Sequence, residues 1–101
     1  MAKVKKFPEI VPVLGEKIKI ELVDKLVIDN EELLGNFDSN TYTIQLENMT
    51  DEDKRDTTLL HETLHAVLEV SGMATVINNK DFEEGLVEVL ERVLHKLYKR
   101  R

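Results

Sequence analysis

Thr57-Thr58-Leu59-Leu60-His61-Glu62-Thr63-Leu64-His65-Ala66-Val67-Leu68 is the stretch on which the reading of this chain turns. Its centre is His-Glu-x-x-His. Leu60, Leu64, Val67 and Leu68 recur at helical spacing, so the stretch is a helix with one apolar flank. Residues four apart on a helix lie one turn apart on one face. His61 and His65 can therefore aim both imidazoles at a single point, as the first two ligands of a tetrahedral Zn²⁺ must. Glu62 is rotated off that axis. Its carboxylate can reach a metal-activated water without taking a coordination position, and can accept the proton the water gives up. The competing reading is that both histidines are half-buried groups bonded to carboxylates.

Upstream, the pattern is β. Gly15 marks a turn, and Lys17-Ile18-Lys19-Ile20-Glu21-Leu22-Val23 alternates as a strand with one wet face. Ile10-Val11, bracketed by Pro8 and Pro12, reads as an edge strand. Leu26-Val27-Ile28 is a short apolar run ended by the turn signal Asp29-Asn30. Residues 33–46 read as a hairpin across Asp38-Ser39-Asn40, with Tyr42, Ile44 and Leu46 turned to the core. Residues 1–9 read as a flexible lead-in.

Downstream, the pattern is helical. Thr50 is the expected N-cap of the motif helix, which runs to about Val70 with Gly72 as its C-terminal glycine. Thr75 to Lys80 reads as a loop. Asp81 caps a second helix through about Lys99, and its apolar positions Phe82, Leu86, Val89, Leu90, Val93, Leu94 and Leu97 predict a broad buried face. Strands followed by helices argue an α+β fold. The expectation is a single domain over 1–101, with a small, mostly antiparallel sheet of about three strands packed against two long helices.

The 101 residues suffice for one modest core. A net charge of -6 argues against a nucleic-acid surface. The chain has no cysteine, which fits a cytoplasmic setting and restricts any zinc site to His and carboxylate. No signal peptide or membrane-length apolar run is visible, so no membrane partner is expected.

A catalytic zinc usually has three protein ligands. His95 lies near the end of the last helix, where it reads as a solvated imidazole. The better third ligand is an acid at the start of that helix. Glu84 is the first candidate and Glu83 the alternative, by helical phase. Glu88, one turn beyond Glu84, could hold a ligand imidazole through its second nitrogen, and Glu69 is a weaker option for that task. Asp81 and Glu84 also have the spacing of a capping box. Gly85 inside the helix suggests either a close approach to the motif helix or a tolerated irregularity.

Leu59 to Ala66, followed by Phe82-Glu83-Glu84-Gly85-Leu86-Val87-Glu88-Val89-Leu90, resembles the small phage- and prophage-associated zincin-like metallopeptidases. More distantly it is similar to ImmA/IrrE-type and SprT-like proteins. Leu34-Gly35-Asn36-Phe37-Asp38 with Thr41-Tyr42-Thr43-Ile44 looks like the hairpin preceding the active helix in that group. The resemblance implies a minimal zincin-like fold and a zinc-dependent peptidase. His61 and His65 would be metal ligands, Glu62 the general base, and a Glu of the 83–84 pair the third ligand. It also implies an edge strand, 41–46, to which a peptide or protein substrate adds. No separate His or Tyr stands out as an oxyanion donor, apart from Tyr42. The alternative is therefore a non-catalytic metal-binding or protein-interaction module on the same scaffold.

Overall fold

The computed structural model describes residues 9–49 and 51–99. Six strands precede three helices: β1 (Ile10–Val13), β2 (Glu16–Val23), β3 (Leu26–Ile28), β4 (Glu31–Leu33), β5 (Gly35–Asp38), β6 (Thr43–Glu47), α1 (Glu52–Val70), α2 (Met73–Ile77) and α3 (Lys80–Lys99). The class is α+β. The sheet is larger than the expected three strands: four strands in the order β1-β2-β6-β5, with β3 and β4 forming a separate two-stranded ribbon.

Local chemistry makes the hairpins. Leu14 and Gly15 both have positive φ, 49° and 87°, and join β1 to β2; Asp29 and Asn30, at 53° and 65°, join β3 to β4. Two successive positive φ values are what a tight I′ hairpin turn requires. The central pairing is not local. β2 and β6 run parallel, with Ile20 opposite Ile44 and Leu22 opposite Leu46, while the other pairings are antiparallel. The stretch expected to be a substrate-binding edge, 41–46, is mostly β6 and lies between β2 and β5. Both its backbone sides are taken. The edge strands of the sheet are β1 and β5.

Alternation sets the core. Ile18, Ile20, Ile44 and Leu46 face inward and are buried, whereas Lys17, Lys19 and Glu21 between them are exposed. Ala66 of α1 and Val13 complete the cluster, with Tyr42, Leu59, Val67 and Val70 packed on its rim. α1 lies on β1, β5 and β6, and α3 packs on α1.

The expected cap Thr50 lies outside the described residues. Asp51 holds the N-cap position, its carboxylate accepting the Lys54 N–H at 3.1 Å. Gly72, at φ 85°, follows the end of α1. The expected loop over 75–80 contains part of a short helix, α2, and Asn79 rather than Asp81 caps α3, accepting the Phe82 N–H at 3.0 Å. Residues 1–8 of the expected lead-in also lie outside the described residues.

The largest departure concerns α3. Its apolar stripe does not face the protein: Phe82 is 61% exposed, Val89 55%, Val93 52% and Leu97 57%. The face turned to α1 carries Glu83, Val87 and Glu91, spaced four apart, and only Val87 is fully buried.

α1 approaches β5 most closely at Gly35. A Cβ there would stand 2.8 Å from Thr58 Cγ2, 3.1 Å from Glu62 Cγ and 3.1 Å from Leu46 Cδ2. Thr58 cannot yield easily, because its hydroxyl donates to the Lys54 carbonyl at 2.8 Å. Gly35→Ala is expected to destabilise the protein by about 1–3 kcal/mol, the usual cost of overpacking, as read by urea denaturation. At Gly85, by contrast, a Cβ would meet nothing within 4 Å, so no close approach explains that glycine.

Candidate metal centre

α1 and α3 run side by side with polar groups at their contact. His61 sits at the centre. Its Nε2 is 2.7 Å from Glu84 Oε1, and its Nδ1 is 2.7 Å from Glu91 Oε1. One turn on, His65 Nε2 is 3.4 Å from Glu84 Oε2 and its Nδ1 is 2.7 Å from Glu83 Oε2. The two imidazoles stand edge to face with centroids 5.0 Å apart. Both Nε2 atoms therefore converge on one carboxylate, and each Nδ1 is held by a carboxylate of its own. A ring whose Nδ1–H is held this way presents its Nε2 lone pair in a fixed direction.

One ligand atom from each of His61, His65 and Glu84 lies within 4.8 Å of the others, and the three could hold a metal ion. The donor set fits one. Ligand atoms about 2.0–2.1 Å from a tetrahedral ion stand roughly 3.3 Å apart. The His65–Glu84 separation already has that size. The shorter His61–Glu84 separation is that of a hydrogen bond, and the Glu84 side chain, 48% exposed, has room to withdraw by the difference. The histidine side chains are only 23% and 18% exposed, so α1 and α3 hold them more tightly than the acid.

Glu62, also on α1, lines the same cleft beside β5. Its carboxylate accepts the Phe37 N–H of β5. Burial is the largest influence on it and pushes its pKa above the ordinary value; His65 and His61 pull it down, Glu84 raises it, and the Phe37 N–H pulls it down again. The rise wins. For His61, burial disfavours the cation, but the hydrogen bond to Glu91 and the charges of Glu62, Glu84 and Glu91 outweigh it and raise its pKa above 6.5. Four carboxylates thus surround two imidazoles, an environment that favours a cation.

The remaining candidates are placed as follows. Glu83 bonds an imidazole Nδ1 rather than joining the three converging ligand atoms. Glu88 is exposed, and the task of holding Nδ1 falls to Glu83 and Glu91. Glu69 is exposed at the rim of the cleft. His95 is not a freely solvated group: its Nδ1 is 3.5 Å from Thr57 Oγ1 and its Nε2 3.7 Å from Asp53 Oδ1, at the far end of the α1–α3 contact. Tyr42 stacks on Phe37 at 6.2 Å and is not among the residues lining the cleft. Glu91 is the residue that sequence reasoning missed. Its signal is the four-residue spacing of Glu83, Val87 and Glu91 on α3.

A cleft of about 370 Å³ opens over this group, between Gly35, Asn36 and Phe37 of β5 on one side and Lys80, Glu83 and Glu84 on the other. An extended chain could enter along β5. Glu91→Ala is expected to weaken metal binding roughly 10–100-fold, the usual effect of removing a group that orients a ligand. Glu88→Ala should leave it unchanged; isothermal titration on both variants makes the comparison.

No family model matches this chain, and no curated protein and no solved structure matches it either.

Proposed function

We propose that this chain is a zinc-dependent hydrolase, a peptidase of zincin-like type. One observation carries the reading: both histidine Nε2 atoms converge on Glu84 while both Nδ1 atoms are held by separate carboxylates, with Glu62 beside them. His61, His65 and Glu84 would hold the ion. An all-nitrogen-and-oxygen set with two imidazoles suits zinc better than magnesium or calcium, which take oxygen ligands. Bound there, zinc supplies Lewis acidity, acidifying water and polarising a substrate carbonyl.

The chain's own residues do the rest. Glu62, its pKa raised by burial, is tuned towards the neutral range where a general base works best. It takes a proton from a water in the cleft as the water oxygen bonds to the scissile carbon. The same carboxyl then returns that proton to the leaving amine as the C–N bond breaks. Glu83 and Glu91 keep the imidazoles oriented. The substrate strand lies along the outer side of β5, which has no strand partner among the described residues and forms one wall of the cleft; Glu62 holds the Phe37 N–H there, so the substrate pairs with the remaining backbone groups of that edge.

The polar α1–α3 contact supports this reading. α3 has an apolar stripe that could have packed on α1, yet it turns carboxylates there. Partly buried ion pairs are a poor way to bind two helices for stability alone. The position of Tyr42 favours the alternative, a metal-binding module without turnover, because it leaves the cleft without that oxyanion donor. Incubation with an unfolded protein substrate separates them. Cleavage that stops with chelator and returns with one equivalent of zinc supports the peptidase; tight zinc binding with no cleavage supports the module.

A further inference from the structure

A second recess, of about 320 Å³, adjoins the cleft and shares Gly35, His61 and Glu62 with it. It lies one turn towards the start of α1. Thr57 and Thr58, four residues before His61 and Glu62, form one side of it, and Leu33 and Leu34 the other. Successive residues of a strand point to opposite faces. The chain bends at Leu34, between β4 and β5, and both leucines line the recess. Their backbone is fixed: Leu33 pairs with Leu26 in the ribbon, and the Leu34 carbonyl accepts the Glu47 N–H at 2.9 Å.

The polar side chains around the recess already have partners. Thr57 and Thr58 donate their hydroxyls to the Asp53 and Lys54 carbonyls at 2.8 Å each. Glu62 accepts the Phe37 N–H, Glu91 is held at His61 Nδ1, and Glu32 pairs with Lys25 at 3.1 Å. The leucine side chains and the Thr58 methyl, which faces Gly35, are what remains for a ligand. A carboxylate or amide oxygen entering here would lose water and meet no free donor. A cation could only share carboxylates that are already bonded.

We propose that this recess takes a leucine-sized aliphatic side chain of the peptide, within two residues of the bond that is cut, and that Leu33 and Leu34 select it. The inference rests on the hydrolase reading of the adjoining site. The spacing fits. One helical turn is about 5.4 Å, and an extended chain covers that in two residues at about 3.3 Å each. A peptide laid along β5 past Gly35 therefore brings a near neighbour of the scissile bond to the recess. The volume is at the low end of ligand sites, which run from about 300 Å³, so one side chain fills it.

The probe is a fluorescein-labelled, alanine-rich octapeptide in which a single leucine, or a single lysine, is moved along the chain. The zinc-loaded protein is expected to cut at one fixed offset from the leucine. At that position leucine should exceed alanine by about 10–100-fold in kcat/KM, the usual scale for a small aliphatic difference in an apolar pocket. Fluorescence anisotropy with zinc-loaded Glu62→Gln reads the same preference without turnover. Leu34→Glu, at a side chain 40% exposed, should erase the preference with zinc affinity unchanged, and the milder Leu34→Ala should reduce it. Cuts that ignore the leucine overturn the inference and leave the hydrolase standing. Preferential binding of leucine peptides with no cutting upholds the recess and removes the hydrolase. A preference for lysine would mean that Glu32 and Glu91 govern the recess, and overturns the inference. So does a leucine preference that Leu34→Glu leaves intact, or a series in which no member is bound or cut.

Discussion

Glu62→Gln is expected to lower peptide hydrolysis by about 10²–10⁴-fold, the usual contribution of a general base, while one equivalent of zinc still binds. The substitution keeps the shape of the side chain and its place against Gly35 and the Phe37 N–H. It removes only the ability to take a proton. The ligand atoms lie on His61, His65 and Glu84, so the metal should stay. Full activity in this variant would eliminate the mechanism, and loss of zinc would show that Glu62 is a ligand instead. Stability supplies a second readout. The pKa of Glu62 is raised in the folded chain by burial. A raised carboxyl favours folding when protonated, so its contribution is fully present below the ordinary carboxylate value and is lost as pH rises through the raised one. Glutamine cannot ionise. In chelator, the melting temperature of Glu62→Gln relative to wild type should therefore rise as pH rises through that window. A variant less stable than wild type at neutral pH would mean that the Glu62 charge helps folding, contrary to its burial.

Much of this arrangement is legible in the residues. The His61–His65 spacing, the alternation of Lys17–Val23 and the Asp29-Asn30 turn are local signals, and local chemistry realises each. The parallel pairing of β2 with β6 is different. It joins segments more than twenty residues apart, and nothing in either strand distinguishes a parallel from an antiparallel neighbour. That is why 41–46 reads as an edge and lies inside the sheet. Gly35 and Gly85 show the same limit. One meets Thr58, Glu62 and Leu46 within about 3 Å and the other meets open space, a contrast that exists only once α1 is laid on β5. The misreading of α3 has another cause. Periodicity identifies an amphipathic face but not what covers it. The stripe points to burial, and Glu83 and Glu84 stand out only through their place in the first turn, so Glu91, two turns further on, is given no role. In the folded chain the carboxylate face meets the histidines and the stripe turns outward.

His65→Ala is expected to abolish stoichiometric zinc binding, with a loss larger than the roughly 10–100-fold expected for Glu91→Ala. His65 supplies one of the three ligand atoms that converge among the described residues, and a two-ligand remnant of His61 and Glu84 cannot fix a tetrahedral ion. The order of effects matters more than any single value. A metal centre predicts His65→Ala worst, Glu91→Ala intermediate and Glu88→Ala silent. Histidines that serve only as ion-pair partners of Glu83, Glu84 and Glu91 predict no zinc binding in any of the four proteins, wild type included. Thermal melting reads the same contrast independently. Zinc at a hundred times its Kd should stabilise the wild type by about 2.7 kcal/mol, or on the order of 10 °C or more in Tm for a domain of this size, because it binds groups from both α1 and α3 that only the folded chain brings together. His65→Ala should show no such shift. The effect should also fade in mild acid. The carboxylates around His61 raise its pKa above 6.5, so protons compete for its nitrogen at a higher pH than they would for an ordinary histidine. A wild-type Tm that ignores zinc at pH 8 would leave the α1–α3 contact as a His–Glu zipper, and with it Glu62 would lose its part in catalysis.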